Sequence, residues 1–298
     1  MLIVAICCLH TAVKAQSFRH LDLALELGTT GIGIDASSPI NDIFSLRAGL
    51  TVMPALQSSR TFTVDVDEQK FDKLNTMMTS ITGMGIENEI DMLAQTGFFN
   101  AKLLLDIRPF NDKRWHISPG LYWGSSEIAR VYNSYESMTT LYAANMYNTM
   151  YRKANDDEAI IEIGEFALYP SDEMLENYFS YGEVGVYAGK RKSDGSDYKI
   201  TPDEHCRVSA NVLVNAFKPY LGFGYGSNLT SDPERTWHYS FDCGLLFWGG
   251  SPSCITHDGT DITHDLTDYS TRISRYVNLL STLKAYPVIS LRISRTIF

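Results

Sequence analysis

The chain has no internal run of the roughly 18 uncharged apolar residues that a membrane-crossing helix requires. If it crosses a bilayer, a closed barrel is the remaining way to do so. Basic clusters are missing too. Lys and Arg number 25 against 35 Asp and Glu, giving a formal charge of -10, and they are scattered rather than gathered into stripes. This argues against a nucleic-acid surface. Phosphate-cradling loops are absent: Gly28 to Gly33 and Gly222 to Gly226 are glycine-rich, but neither joins a strand to a helix with the required spacing. Cysteine is scarce, with five in the whole sequence, and Cys7 and Cys8 lie in an apolar leader.

That leader, Leu2 to Leu9, is followed by Ala12-Val13-Lys14-Ala15-Gln16 and reads as a secretory signal peptide cleaved after Ala15. Its positively charged start is missing. Bulky Ile6 before Cys7, and Cys7 before Cys8, fit lipoprotein processing poorly. The mature chain, 16–298, keeps Cys206, Cys243 and Cys254, so one disulfide at most can form within it.

What is abundant is aromatic side chain, 12% of residues including 17 Tyr and 14 Phe, at a mean hydropathy of -0.12. That combination suits strands with one apolar and one polar face. In 236–248 the odd positions Trp237, Tyr239, Phe241, Cys243, Leu245 and Phe247 are apolar, opposite His238, Ser240 and Asp242. In 98–109 Phe99, Ala101, Leu103, Leu105 and Ile107 oppose Asn100, Lys102, Asp106 and Arg108. In 114–124 Trp115, Ile117, Leu121 and Trp123 oppose His116, Ser118 and Gly120, with aromatics near both ends, as in an interfacial girdle.

The same alternation occurs in 43–53 around Arg47, in 183–190 around Glu183, in 219–226, and in 287–297 around Arg292. Near the start, Leu21, Leu23, Leu25 and Leu27 oppose Asp22 and Glu26, after which the apolar phase flips to Ile32 and Ile34. A bulge at Gly28 to Gly31 within one strand accounts for the flip. The count is eight strands. Residues 206–214 form a ninth candidate, with 61–66 as its partner, which makes ten the alternative because such barrels have even counts. Helical inserts are expected near 68–95, 134–153 and 264–284, the last with Leu266, Ile273, Val277, Leu280 and Leu283 on one face, resting on the barrel end or membrane surface. The connections between these strands do not alternate between short and long, which leaves the sidedness of the inserts open.

The fold expected is therefore all-β, an antiparallel transmembrane β-barrel. The blocks LLLDIRPF, RWHISPGLYW, PYLGFGYG, FDCGLLFWGG and AYPVISLRISRTIF together resemble small bacterial outer-membrane barrels without an established activity, distantly like the OmpW and OmpA barrels. The cleavage region looks like those of Bacteroidetes. The resemblance implies an outer-membrane location, lipid as a partner, and recognition of the terminal Phe298 by the barrel-assembly machinery. Phe298 departs from the pattern, because it falls in phase with the polar Ser290, Arg292 and Ser294.

With the apolar faces toward lipid, Asp22, Glu26, Arg47, Lys102, Asp106, Arg108, His116, Glu183, His238, Asp242 and Arg292 face the lumen. Eight strands leave an interior that side chains just fill, so these charges are expected to pair into a plug. The expected role is structural, adhesive or limited small-solute passage. No cofactor, metal site or catalytic residue is assigned.

Two other readings compete. A lipid-modifying hydrolase would use His116 with Ser118 or His238 with Ser240, but residues two apart on a strand are about 7 Å apart, so a cross-strand pair is needed. A soluble lipocalin-like barrel would turn its apolar face inward. The repeated triplets Thr256-His257-Asp258 and Thr263-His264-Asp265 contain metal-ligating residue types, but without a tight spacing motif they read as a solvated acidic connection.

Overall fold

The structure, a computed structural model, describes residues 20–63, 68–228 and 232–297. The leader with its cleavage site at Ala15, and the terminal Phe298, lie outside the described residues. The first half of the chain forms β1 (Asp22–Gly28), β2 (Gly31–Pro39), β3 (Phe44–Thr63), α1 (Glu68–Thr82), β4 (Glu89–Ile107), β5 (Trp115–Gly124), β6 (Glu127–Asn133) and α2 (Met138–Asn155). The second half forms β7 (Ile161–Ile163), β8 (Phe166–Leu168), α3 (Asp172–Tyr178), β9 (Val186–Arg191), β10 (Asp197–Ile200), β11 (Ser209–Leu213), β12 (Phe217–Gly226), β13 (Trp237–Phe247), β14 (Ser253–Thr256), β15 (Leu266–Thr267), α4 (Thr271–Thr282) and β16 (Ala285–Thr296).

Eight of these strands pair antiparallel in a closed ring, in the order β1, β2, β3, β4, β5, β12, β13, β16 and back to β1. Closure leaves these strands no free edge along the paired stretch. Their alternation has an inverted sense compared with a water-soluble barrel. Leu25, Leu27 and Trp123 point outward at 68%, 63% and 66% exposure, while their neighbour Glu26 is only 3% exposed. This polarity is the reverse of a lipocalin-like interior. Outward aromatics collect toward both ends, with Trp115, Tyr225 and Trp237 at one and Trp123, Phe217 and Phe247 at the other.

One end of the ring carries the short connections 40–43 and 108–114 and the facing ends of β12 and β13, Gly226 and Trp237, together with the first and last strand residues, Asp22 and Thr296. The opposite end carries a tight turn at Thr29 and Thr30 and all the long insertions, 125–216, 248–284 and the outer half of the β3–β4 hairpin with α1. Among the described residues all helical segments therefore lie at one end. There β3 and β4 run on past the ring, with an irregularity between Met53 and Leu56, and β4 continues the sheet into β6, β11 and β14. We call this part the extension. It has ordinary cores: Met77, Met78, Tyr147, Met150 and Phe179 form one between α1 and α2, and Ala188, Tyr198, Ile262, Leu266 and Val277 form another beneath α4.

Several sequence expectations change here. Residues 21–34 are two strands rather than one bulged strand, because Gly28 pairs with Gly31 across the turn and Gly31 adopts a φ of 99° that favours glycine. A two-residue turn flips the apolar phase just as a bulge does. The 183–190 segment is not in the ring; β9 belongs to a small sheet with β10 and β15. The ring number of eight thus matches the sequence count through two offsetting assignments. The ninth candidate, 206–214, contains β11, which pairs with β6 and β14 outside the ring rather than with 61–66.

The helices are also shorter than expected. Residues 89–95 belong to β4 and Leu266 to β15, whereas α3 was not foreseen. With Ile273 and Val277 packed on the extension core, α4 rests on the extension. Among the described residues, no helix is long and apolar enough to cross a membrane.

Candidate functional site

The site is the interior of the ring, where inward positions of successive strands bring buried charges together. At its centre the Arg47 guanidinium, on β3, sits 2.6 Å from Asp106 of β4 and 3.2 Å from Asp242 of β13. Asp242 also meets His116 Nε2 of β5 at 2.8 Å and accepts from the Ser240 hydroxyl at 3.1 Å. Ser118 donates to Asp106 at 2.6 Å and accepts from Arg47 at 3.1 Å. Gly224 makes room for this cluster, because a Cβ there would collide with the His116 ring and lie 2.8 Å from the Asp242 carboxylate.

A second cluster joins Lys102 to Glu26 in an ion pair, with Asp35 3.0 Å from the same ammonium. Toward the extension, Lys218 donates to Asn100 Oδ1 and to the Ser125 carbonyl, each at 3.0 Å. Toward the other end, Arg108 donates to Ser45 Oγ at 2.7 Å, and Thr296 donates to Asp22 at 2.6 Å while meeting His238 Nε2 at 3.2 Å. Pairing of this kind is what makes such burial tolerable, since an uncompensated buried charge costs several kcal/mol, roughly.

An apolar layer crosses the interior as well. Leu104, Tyr122, Tyr220, Leu246 and Val288 form a buried cluster, with the Tyr122 and Tyr220 rings 5.3 Å apart. These residues share the inward face with the charges.

Ten of the sequence-predicted lumen residues, Asp22, Glu26, Arg47, Lys102, Asp106, Arg108, His116, His238, Asp242 and Arg292, are buried on the inward face of ring strands or, for Arg108, directly after one. Glu183 is the exception: it lies in the extension with its carboxylate 3.8 Å from Arg152. Sequence reasoning missed Asp35 and Lys218. Splitting 21–34 into two strands puts Asp35 in phase with the inward Gly33, and starting β12 at Phe217 puts Lys218 in phase with Gly222 and Gly224. Both signals were present in the alternation.

The hydrolase pairs do not assemble. Ser118 and Ser240 donate to carboxylates, and Asp242 stands between His116 and Ser240. A nucleophile needs the imidazole, not the carboxylate, beside its hydroxyl.

In the extension the repeated triplets close tight turns on themselves. Asp258 accepts from Thr256 and from the Thr260 N–H, and Tyr198 donates to it at 2.9 Å. Asp261 accepts from the Thr263 N–H and meets His264 Nδ1, both at 2.9 Å. Burial pushes both carboxyls up, but these hydrogen bonds outweigh it and hold them below the usual aspartate value. Among the described residues no three His, Cys, Asp or Glu side chains gather as a metal site. Cys206, Cys243 and Cys254 are free thiols, and burial raises that of Cys254 to about 11.

The fold and site together define a class: a closed eight-stranded antiparallel ring, apolar outside and charged inside. No protein-family model and no curated protein matches the chain. Among solved structures it is similar to the crystal structure of Acinetobacter baumannii CarO, with 14% identity, a TM-score of 0.40, and coverage of 95% of this chain and 99% of that one. It is likewise similar to Acinetobacter baumannii CarO2, at 14% identity and a TM-score of 0.38, covering 93% of this chain and 98% of that one.

Proposed function

We propose that the ring is an integral outer-membrane anchor that holds the extension outside the cell, in a structural or adhesive role, with the ring interior acting as a plug. One observation carries this reading: a single set of strands exposes Leu, Ile and aromatic side chains outward while twelve charged or imidazole groups are buried inward on them or, for Arg108, directly after one. Water as the outer solvent would leave that apolar band unsatisfied, whereas lipid satisfies it. The short connections and the terminal strands share one end, and the long insertions the other. This matches the usual placement of short turns in the periplasm and long loops outside.

Leader cleavage near Ala15, delivery by the barrel-assembly machinery through Phe298, and the absence of enzymatic activity belong to the same proposal. The apolar layer of Tyr122, Tyr220, Leu104, Leu246 and Val288 favours a plug over solute passage.

Membrane fractionation with protease added to intact cells tests it. The protein is expected in the outer-membrane fraction, migrating differently when heated, with cleavage in the 125–216 insertion from outside. Recovery as a soluble monomer overturns the anchor. Discrete single-channel conductance from the purified protein overturns the plug.

A further inference from the structure

At the ring end opposite the extension, a small cleft is lined by Arg108 and Arg292 together with Asp22, Ser37, Ser38 and Ser45. Both guanidinium groups are more than nine-tenths buried, at 3% and 6% exposure. Yet Nε and Nη1 of Arg292 and Nε of Arg108 meet no hydrogen-bond acceptor. Buried donors without acceptors are uncommon and costly, most of all on a charged group.

Deeper in the ring each cation is paired with two carboxylates. Arg47 has Asp106 and Asp242, and Lys102 has Glu26 and Asp35. In the cleft two guanidinium groups face one lining carboxylate, Asp22, which already accepts from Thr296. Among the described residues neither Arg108 nor Arg292 makes an ion pair with a carboxylate. Among its lining groups the cleft therefore holds one excess positive charge beside unmatched N–H donors, and Asp106, from deeper in the ring, acts on both guanidinium groups without forming an ion pair with either. The Ser38 hydroxyl is committed to the His20 carbonyl, whereas Ser45 accepts from Arg108 and so keeps its own proton to donate.

We propose that this cleft binds one small monovalent anion, a halide, between Arg108 and Arg292. The free space admits a group about the size of a water molecule, which suits a halide and excludes phosphate or a carboxylic acid. The site depends only on the geometry of this end and holds whichever way the ring is set in a bilayer.

Crystals of the wild-type protein grown in bromide test the site directly. An anomalous peak within hydrogen-bonding distance of the Arg292 and Arg108 nitrogens is expected; a cleft holding only water under saturating bromide overturns the proposal. Denaturation of the detergent-refolded protein gives a second readout, because a ligand bound only by the native state raises its midpoint. The midpoint is expected to rise and saturate with bromide but not with gluconate at equal ionic strength, and Arg292→Gln is expected to lose the difference. Equal midpoints in the two salts for the wild type overturn it. The crystal experiment needs no variant, so a failure of Arg292→Gln to fold leaves the proposal open to refutation.

Discussion

The ring and the extension solve opposite problems with one chain. In the ring, Leu25, Leu291 and Trp123 face outward and Arg47, Asp106 and Asp242 are buried; in the extension, Met78, Tyr147 and Phe179 are buried and the charged Glu136, Arg152 and Asp172 lie outside. The strands of the two parts are locally alike, and β3 and β4 belong to both. What differs is which face closes on itself. A curled sheet with its polar face inside has to provide for charges it buries, while a layered sheet and helix pair has only to exclude water from apolar groups. Specificity therefore lies in ion pairs in one region and in shape in the other.

Three perturbations, in descending order of expected effect, break or sharpen that contrast. Arg47→Ala leaves Asp106 and Asp242 buried without their cation, and a loss of about 3–5 kcal/mol is expected. Urea unfolding of the refolded protein measures it. A loss comparable to a surface substitution would show that the ring does not depend on matched charge.

Met78→Ala empties part of the α1–α2 core, where Met78 is fully buried, at a cost of about 2–5 kcal/mol. Here the damage is expected to stay local. Limited proteolysis of the extension accelerates while the heat-dependent gel shift of the ring is unchanged; loss of both together would make the two regions one cooperative unit.

The smallest effect concerns acid. Asp258 and Asp261 have folded pKa values below the ordinary 3.8, so the stability they contribute is fully present above that value and lost as the pH falls through their folded values. Proteolysis around 253–265 with an acid-active protease is expected to rise only below pH 3.8, and Asp258→Asn is expected to raise it already at neutral pH. A rise that begins well above 3.8 would assign the acid response to other groups.

Much of the ring was legible because period-two alternation is long and uninterrupted in β4, β12, β13 and β16, and the same parity that places Leu291 outside places Arg292 inside. The extension was less legible. Its 183–190 segment, which runs into β9, alternates Val184, Val186 and Ala188 against Glu183 and Gly185 in the same manner, and periodicity alone carries no mark of which sheet a strand joins. That is how Glu183 came to be placed among the lumen residues. The turn at Thr29 and Thr30 was hidden because a two-residue turn and a bulge shift parity identically, and Asp35 was lost with it. Pairings such as Arg47 with Asp242 join residues 195 apart in sequence, and they follow from strand order, which alternation does not encode.

The irregularity between Met53 and Leu56 does not end the β3–β4 hairpin; pairing resumes at once and continues through Thr63. Leu56 to Thr63 at about 3.3 Å per residue rise roughly 23 Å beyond the ring. The extension is thereby mounted on a stiff mast rather than a tether. Anything that grips it pulls on β3 and β4 along their length, and that load reaches Arg47 and Asp106, which sit on those two strands.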